Sequence, residues 1–104
     1  CEVNIRHGYP VLINDPETTR RVREYAVQYL GEEHVLNLEH RMTAEDFAYY
    51  LQKRPGTFYR LGTSNMDKGI TQHLHSQDFD IDETALKTGM GLLSWITLNE
   101  LKLA

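Results

Sequence analysis

Apolar and polar residues alternate at the start of the chain. Val3 and Ile5 fall on one side, and Glu2, Asn4 and Arg6 on the other. A period of two predicts a strand with one wetted face. Gly8-Tyr9-Pro10 ends it, and His7 reads as a surface residue. The period then lengthens. Asn14-Asp15-Pro16-Glu17 supplies a cap, a first-turn proline and an acid, which together predict a helix start. Val22, Tyr25, Ala26, Tyr29 and Leu30 recur at helical spacing. Arg20, Arg21, Arg23 and Glu24 form the other face, better read as solvated than as an anion site. Gly31 is expected to end the helix as a left-handed cap.

A short strand is expected at Val35-Leu36-Asn37-Leu38, then a helix over Met42 to Leu51. Thr43 with Asp46 resembles a capping box, and Phe47, Tyr50 and Leu51 form the apolar stripe. Lys53-Arg54-Pro55-Gly56 makes a turn, and Thr57 to Leu61 reads as a third strand ending at Gly62. From Thr63 to Asp82 apolar periodicity almost disappears. At about 20 residues this exceeds an ordinary connection and marks a functional or unstructured loop. Asp82 and Glu83 start the last helix, with Leu86, Met90, Leu93, Ile96 and Leu101 as its expected inner face. Gly89 and Gly91 allow close packing, and Trp95 reads as core or interface. The alternation of strand and helix predicts an α/β fold with a largely parallel sheet. Ligands in such sheets gather at the carboxyl ends of strands, where Gly62 and the following loop lie.

Composition narrows the function classes. The 104 residues suffice for one modest core, and 40% apolar with 25% charged residues is ordinary for a globular domain. A net charge of -4 without a basic patch argues against nucleic acid and anionic membranes. No apolar run approaches a membrane span, and no signal-peptide pattern is present. One cysteine, Cys1, excludes an internal disulfide and fits a reducing, cytoplasmic setting. The chain opens directly into strand-like sequence without an initiator Met, the expected look of a piece of a longer protein.

Candidate chemistry concentrates in the run from Gln72 to Glu83. His73 and His75 stand one residue apart, and Asp78, Asp80, Asp82 and Glu83 follow. Imidazole is a common neutral metal ligand, and carboxylates orient it. Two histidines alone make no metal site, and an acidic run before a helix also serves as a cap. Glu45 and Asp46 are open to acid–base work, but on spacing alone the helix dipole explains them better.

Six runs in register resemble a known family. They are Tyr9-Pro10 with Asn14-Asp15-Pro16-Glu17; Met42 to Leu51; Arg54-Pro55-Gly56; Leu61-Gly62 with Asn65; Leu74-His75-Ser76; and Phe79 to Glu83. Their order is similar to the C-terminal part of the amidohydrolases and carboxypeptidases that include hippurate hydrolase, N-acyl-amino-acid deacylases and auxin-conjugate hydrolases. The resemblance implies a two-domain parent. Residues 1–9 would be the last strand of a lid or dimerisation domain. Residues 10–104 would be the C-terminal part of a three-layer α/β metallopeptidase-like catalytic domain. The first strand then belongs to a different sheet from the other two.

The same resemblance implies two divalent metal ions, Zn, Mn or Co, in the full enzyme. It implies that His75 is the last metal ligand, with His73 a neighbour. Glu45, Asp46, Gly62 and Asn65 would stand near the substrate or orient the site. The family's other ligands, its bridging carboxylate and its catalytic Glu have no counterpart here. The expectation is therefore no catalytic residue in this fragment, no tightly bound metal, and no activity by itself. The parent would cleave the amide bond of N-acyl amino acids or similar small conjugates through a metal-bound hydroxide. A homodimer of the full-length protein, in the cytoplasm, completes that picture. Two other readings remain: a non-catalytic α/β binding module that keeps the family outline, and a dimerisation piece that pairs through its first strand.

Overall fold

The computed structural model describes residues 1–103. Three helices carry its regular structure: α1, Pro16–Leu30; α2, Phe47–Leu51; and α3, Thr84–Leu103. A single 3-10 turn, Glu32–His34, follows α1. Residues 1–58 and residues 59–104 form separate packing units.

In the first unit, α1 begins where local chemistry says it should. Asp15 accepts the Thr18 amide at 2.8 Å, and Pro16 occupies the first turn, where its missing N–H costs nothing. The bond to the Thr18 amide, above all, lowers the Asp15 pKa. The segment that follows α2 is tied to this start. Asn14 donates from Nδ2 to the Phe58 carbonyl at 2.9 Å and accepts the Phe58 amide at 2.8 Å, so its side chain imitates one rung of a sheet. The Asp15 amide donates to the Gly56 carbonyl at 2.9 Å, and the Thr19 hydroxyl lies 3.0 Å from that of Thr57. Val22, Ala26 and Ala48 are the buried apolar residues of this unit, with Phe47 packed on both Tyr50 and Phe58. On the outer face of α1, Arg20 bridges Glu17 and Glu24 at 2.7 and 2.6 Å. Arg21 reaches Glu17 and Arg23 reaches Glu32 just beyond the helix, each at 3.5 Å, so the basic face is paired with nearby acids, as a solvated face should be.

Gly31 closes α1 with its amide on the Val27 carbonyl at 2.9 Å. Its φ of 92° is positive as expected, but ψ is 151°, so this is the glycine-only extended region and not a left-handed helical cap. Gly31→Ala is expected to lower stability by about 1 kcal/mol or more, because the side chain penalises that backbone conformation. Chemical denaturation measures it directly. An unchanged midpoint would mean that the backbone relaxes freely there.

Helix α2 is shorter than its pattern predicts. The expected Thr43 capping box is absent, and the helix starts at Phe47. Glu45 takes over the capping, accepting the Phe47 amide at 3.3 Å. Asp46 sits at the cap position in a helical conformation and makes no side-chain cap bond.

In the second unit, residues 59–82 lead into α3. The Asp82 carbonyl accepts the Ala85 amide at 2.9 Å, and Asp82 Oδ1 accepts the Thr84 amide at 3.2 Å, which starts α3 as predicted. Leu92 and Ile96 are buried, and Leu61 lies so close to Gly89 that an added Cβ would meet it at 2.8 Å. Of the expected inner face only Ile96 is covered. Leu86, Met90, Leu93 and Leu101 are exposed, Met90 at 67%. Helix α3 is apolar on two sides, and its own unit covers just one.

The three runs with strand character find no partner. Among the described residues there is no strand, and only an isolated antiparallel bridge joins Asn65 to Ile70. The α/β three-layer architecture is therefore not realised within these residues, which are mainly helix and extended coil. The reason is physical: a strand exists through its neighbour's hydrogen bonds, and alternation alone cannot supply them. Val3 and Ile5, at 77% and 75% exposure, show what an unpartnered strand pattern looks like.

Candidate functional site

The second unit holds three of the expected site residues, Gly62, Asn65 and His75. Glu45 and Asp46 belong to the first. His75 occupies the tip of an exposed turn, where the Ser76 amide donates to the His73 carbonyl at 3.2 Å and the Phe79 amide to the Ser76 carbonyl at 3.2 Å. It is the one non-glycine residue with positive φ among the described residues, at 68°. Histidine enters this region more readily than most side chains, and single left-handed residues gather at functional sites. Every residue from 71 to 80 is exposed, so both imidazoles are open to solvent.

Asn65 is held quite differently. Its amide N–H and carbonyl pair with Ile70 at 2.8 and 2.9 Å, closing a tight turn over Met66 to Gly69. Its Oδ1 accepts the Lys68 amide at 3.2 Å, and its Nδ2 donates to Asp82 Oδ2 in a short hydrogen bond. Asp82 is only 8% exposed. Its carboxylate also receives Lys68 Nζ at 2.9 Å, and its own amide donates to the Thr63 carbonyl at 2.8 Å. The side chains of Asn65 and then Lys68 hold the Asp82 carboxyl far below the ordinary Asp range. Since the folded value lies below the unfolded one, the resulting stabilisation is complete above the ordinary Asp range. It is lost progressively as pH falls from the ordinary Asp range through the lowered value. The sequence places Asp82 at a helix start and among the carboxylates that follow the two histidines, with no sign of its link to Asn65. Its partnership with Asn65 spans 17 positions and leaves no periodic signal. The Asn65-x-x-Lys68-Gly69 turn was the available clue.

Gly62 is exposed, with open space where a Cβ would stand. Glu45 is half-buried and engaged in capping α2, while Asp46 is exposed. An open groove of about 610 Å³ in the first unit runs past Pro10, Asp15, Leu51 and Arg54. Neither Glu45 nor Asp46 lines it. Among the described residues no group of three or more His, Cys, Asp or Glu side chains could hold a metal ion. A catalytic metal normally needs three protein donors. The donors of this chain do not, by themselves, fit one.

The sequence profile of peptidase family M20/M25/M40 matches residues 1–98. The chain belongs to peptidase family M20/M25/M40. Among the relatives of this M20 chain, thermostable carboxypeptidase 1 of Saccharolobus solfataricus is 40% identical over 90 residues, covering 86% of this chain and 22% of its own. IAA-amino acid hydrolase ILR1-like 6 of Arabidopsis thaliana is 35% identical over 81 residues, 78% of this chain and 18% of its own. A protein of Rhodococcus jostii provisionally named glutamate–cysteine ligase 2-3 is 35% identical over 96 residues, 92% of this chain and 12% of its own. The M20 chain therefore spans between about an eighth and a quarter of the relatives it matches. No solved structure shows a significant match. Enzymes of the M20 family are generally metal-dependent. No helix among the described residues is long and apolar enough to cross a membrane.

Proposed function

We propose that this chain is the C-terminal section of a metal-dependent amidohydrolase or carboxypeptidase. The parent cleaves the amide bond of N-acyl amino acids or related small conjugates. The observation that carries this reading is the M20 match over residues 1–98, alongside relatives named carboxypeptidase and amino-acid-conjugate hydrolase. Residues 1–9 are then the last strand of the lid or dimerisation domain, and residues 10–104 return to the catalytic domain. In the parent, the runs 1–7, 35–38 and 57–61 become strands of its α/β sheets. Their strand periodicity and their lack of partners among the described residues both favour this.

His75 is the section's metal ligand in this reading. Its exposed turn supports the role, since the imidazole is free to meet donors from elsewhere in the protein. Glu45, Asp46, Gly62 and Asn65 stand near the substrate or orient the site. The remaining donors, for Zn, Mn or Co, come from the rest of the parent. We expect the parent to be a cytoplasmic homodimer. The single cysteine agrees with that compartment.

The deciding experiment compares the full-length protein with this chain on a panel of N-acyl amino acids, with and without a chelator. The full-length protein is expected to turn over and to stop on chelation, and the chain alone is expected to be inert. Failure of the full-length protein across the panel would overturn the assignment. Metal-dependent turnover by the chain alone would overturn the idea that it is one section of a site.

A further inference from the structure

The segment 64–81 leaves Thr63 and returns to Asp82, and one residue closes its neck. The Asp82 amide holds the Thr63 carbonyl, one carboxylate oxygen holds Asn65, and the other holds Lys68 and the first amide of α3. Asn65 in turn pairs with Ile70 through both backbone groups. Beyond this knot, every residue from 71 to 80 is exposed. The loop that carries His75 therefore stands on this base.

We infer that Asp82 is a positioning residue that latches the loop of His75 through Asn65 and Lys68, and that Asn65 belongs to this latch and makes no contact with substrate. The consequence for turnover rests on the proposed hydrolase function; the latch itself does not. A buried carboxylate with this many donors is well satisfied, and removing one partner strands the others. Asn65→Asp would set a second carboxylate against Asp82. Asp82→Asn would leave Lys68 without its counter-charge, although two amides can still pair. Exchanging the two residues restores an amide donating to a carboxylate, and Asn at position 82 can still cap α3.

The test uses the full-length protein carrying Asn65→Asp, Asp82→Asn, and both together. Hydrogen exchange is read at the amides of Asn65, Ile70 and Asp82, and kcat/KM on an N-acyl amino acid. Asn65→Asp is expected to speed exchange at these amides and to lower kcat/KM about tenfold, with Asp82→Asn smaller in both. The double exchange is expected to bring both readouts to within about twofold of the starting protein. Unchanged exchange in the single variants, or no recovery in the double, would overturn the latch. Recovery of exchange without recovery of kcat/KM would show that Asn65 touches substrate, and would overturn that half. Should the unsubstituted protein hydrolyse nothing, the functional reading fails while the exchange data still decide the latch.

Discussion

His75→Ala in the full-length protein is expected to lower kcat on an N-acyl amino acid by at least about a hundredfold, with loss of bound metal on dialysis. Neutral imidazole is a strong donor, and a catalytic metal site has few protein donors to spare. Two controls separate the ligand from the loop. His75 has φ of 68°, so Ala also strains the backbone, by about 1 kcal/mol. Asn tolerates the left-handed region but offers no imidazole, so His75→Asn should be as inactive as His75→Ala while keeping the turn. His73 is equally exposed and two residues away, and His73→Ala should change kcat by less than about twofold, within the range of a surface substitution. Activity retained in both His75 variants would mean that the imidazole is misassigned. Equal losses at positions 73 and 75 would point to disruption of the loop.

What could be read from the residues follows the range of the forces involved. Helix α1 was legible at both ends because its signals are local: Asp15 and Pro16 act within one turn, and Gly31 acts through its own φ. The start of α3 at Asp82 was legible for the same reason. The start of α2 was not, because Thr43 and Asp46 have the spacing of a capping box without the chain turning to form it; Glu45 caps instead. The strand runs carry the right alternation, but pairing is a property of two segments, and none of the three finds its second here. The loop around His75 stood out through its lack of periodicity. The left-handed turn at its tip did not, since no glycine marks it, and the Asn65–Asp82 link at its base did not, since it arises from how distant residues meet.

The exposed face of α3 yields the other large effect. Leu93→Asp in the full-length protein is expected to destabilise it by about 3 kcal/mol or more, against under about 0.5 kcal/mol for Lys87→Ala on the same helix. Period 3.6 marked Leu86, Met90, Leu93, Ile96 and Leu101 as the inner face, yet all but Ile96 are exposed, and the covered side is formed by Leu92 and Ile96. A helix apolar on two sides is characteristic of a buried layer element. The relatives are matched over at most about a quarter of their length, and in a parent of that size, as proposed, the second side has something to pack against. Placing a carboxylate there would bury an unpaired charge, whereas the same change on a solvated face would cost little. Denaturant midpoints of the two variants decide the matter. If Leu93→Asp unfolds no earlier than Lys87→Ala, this face of α3 stays in water in the complete protein, and the placement of residues 10–104 inside a layered catalytic domain is refuted.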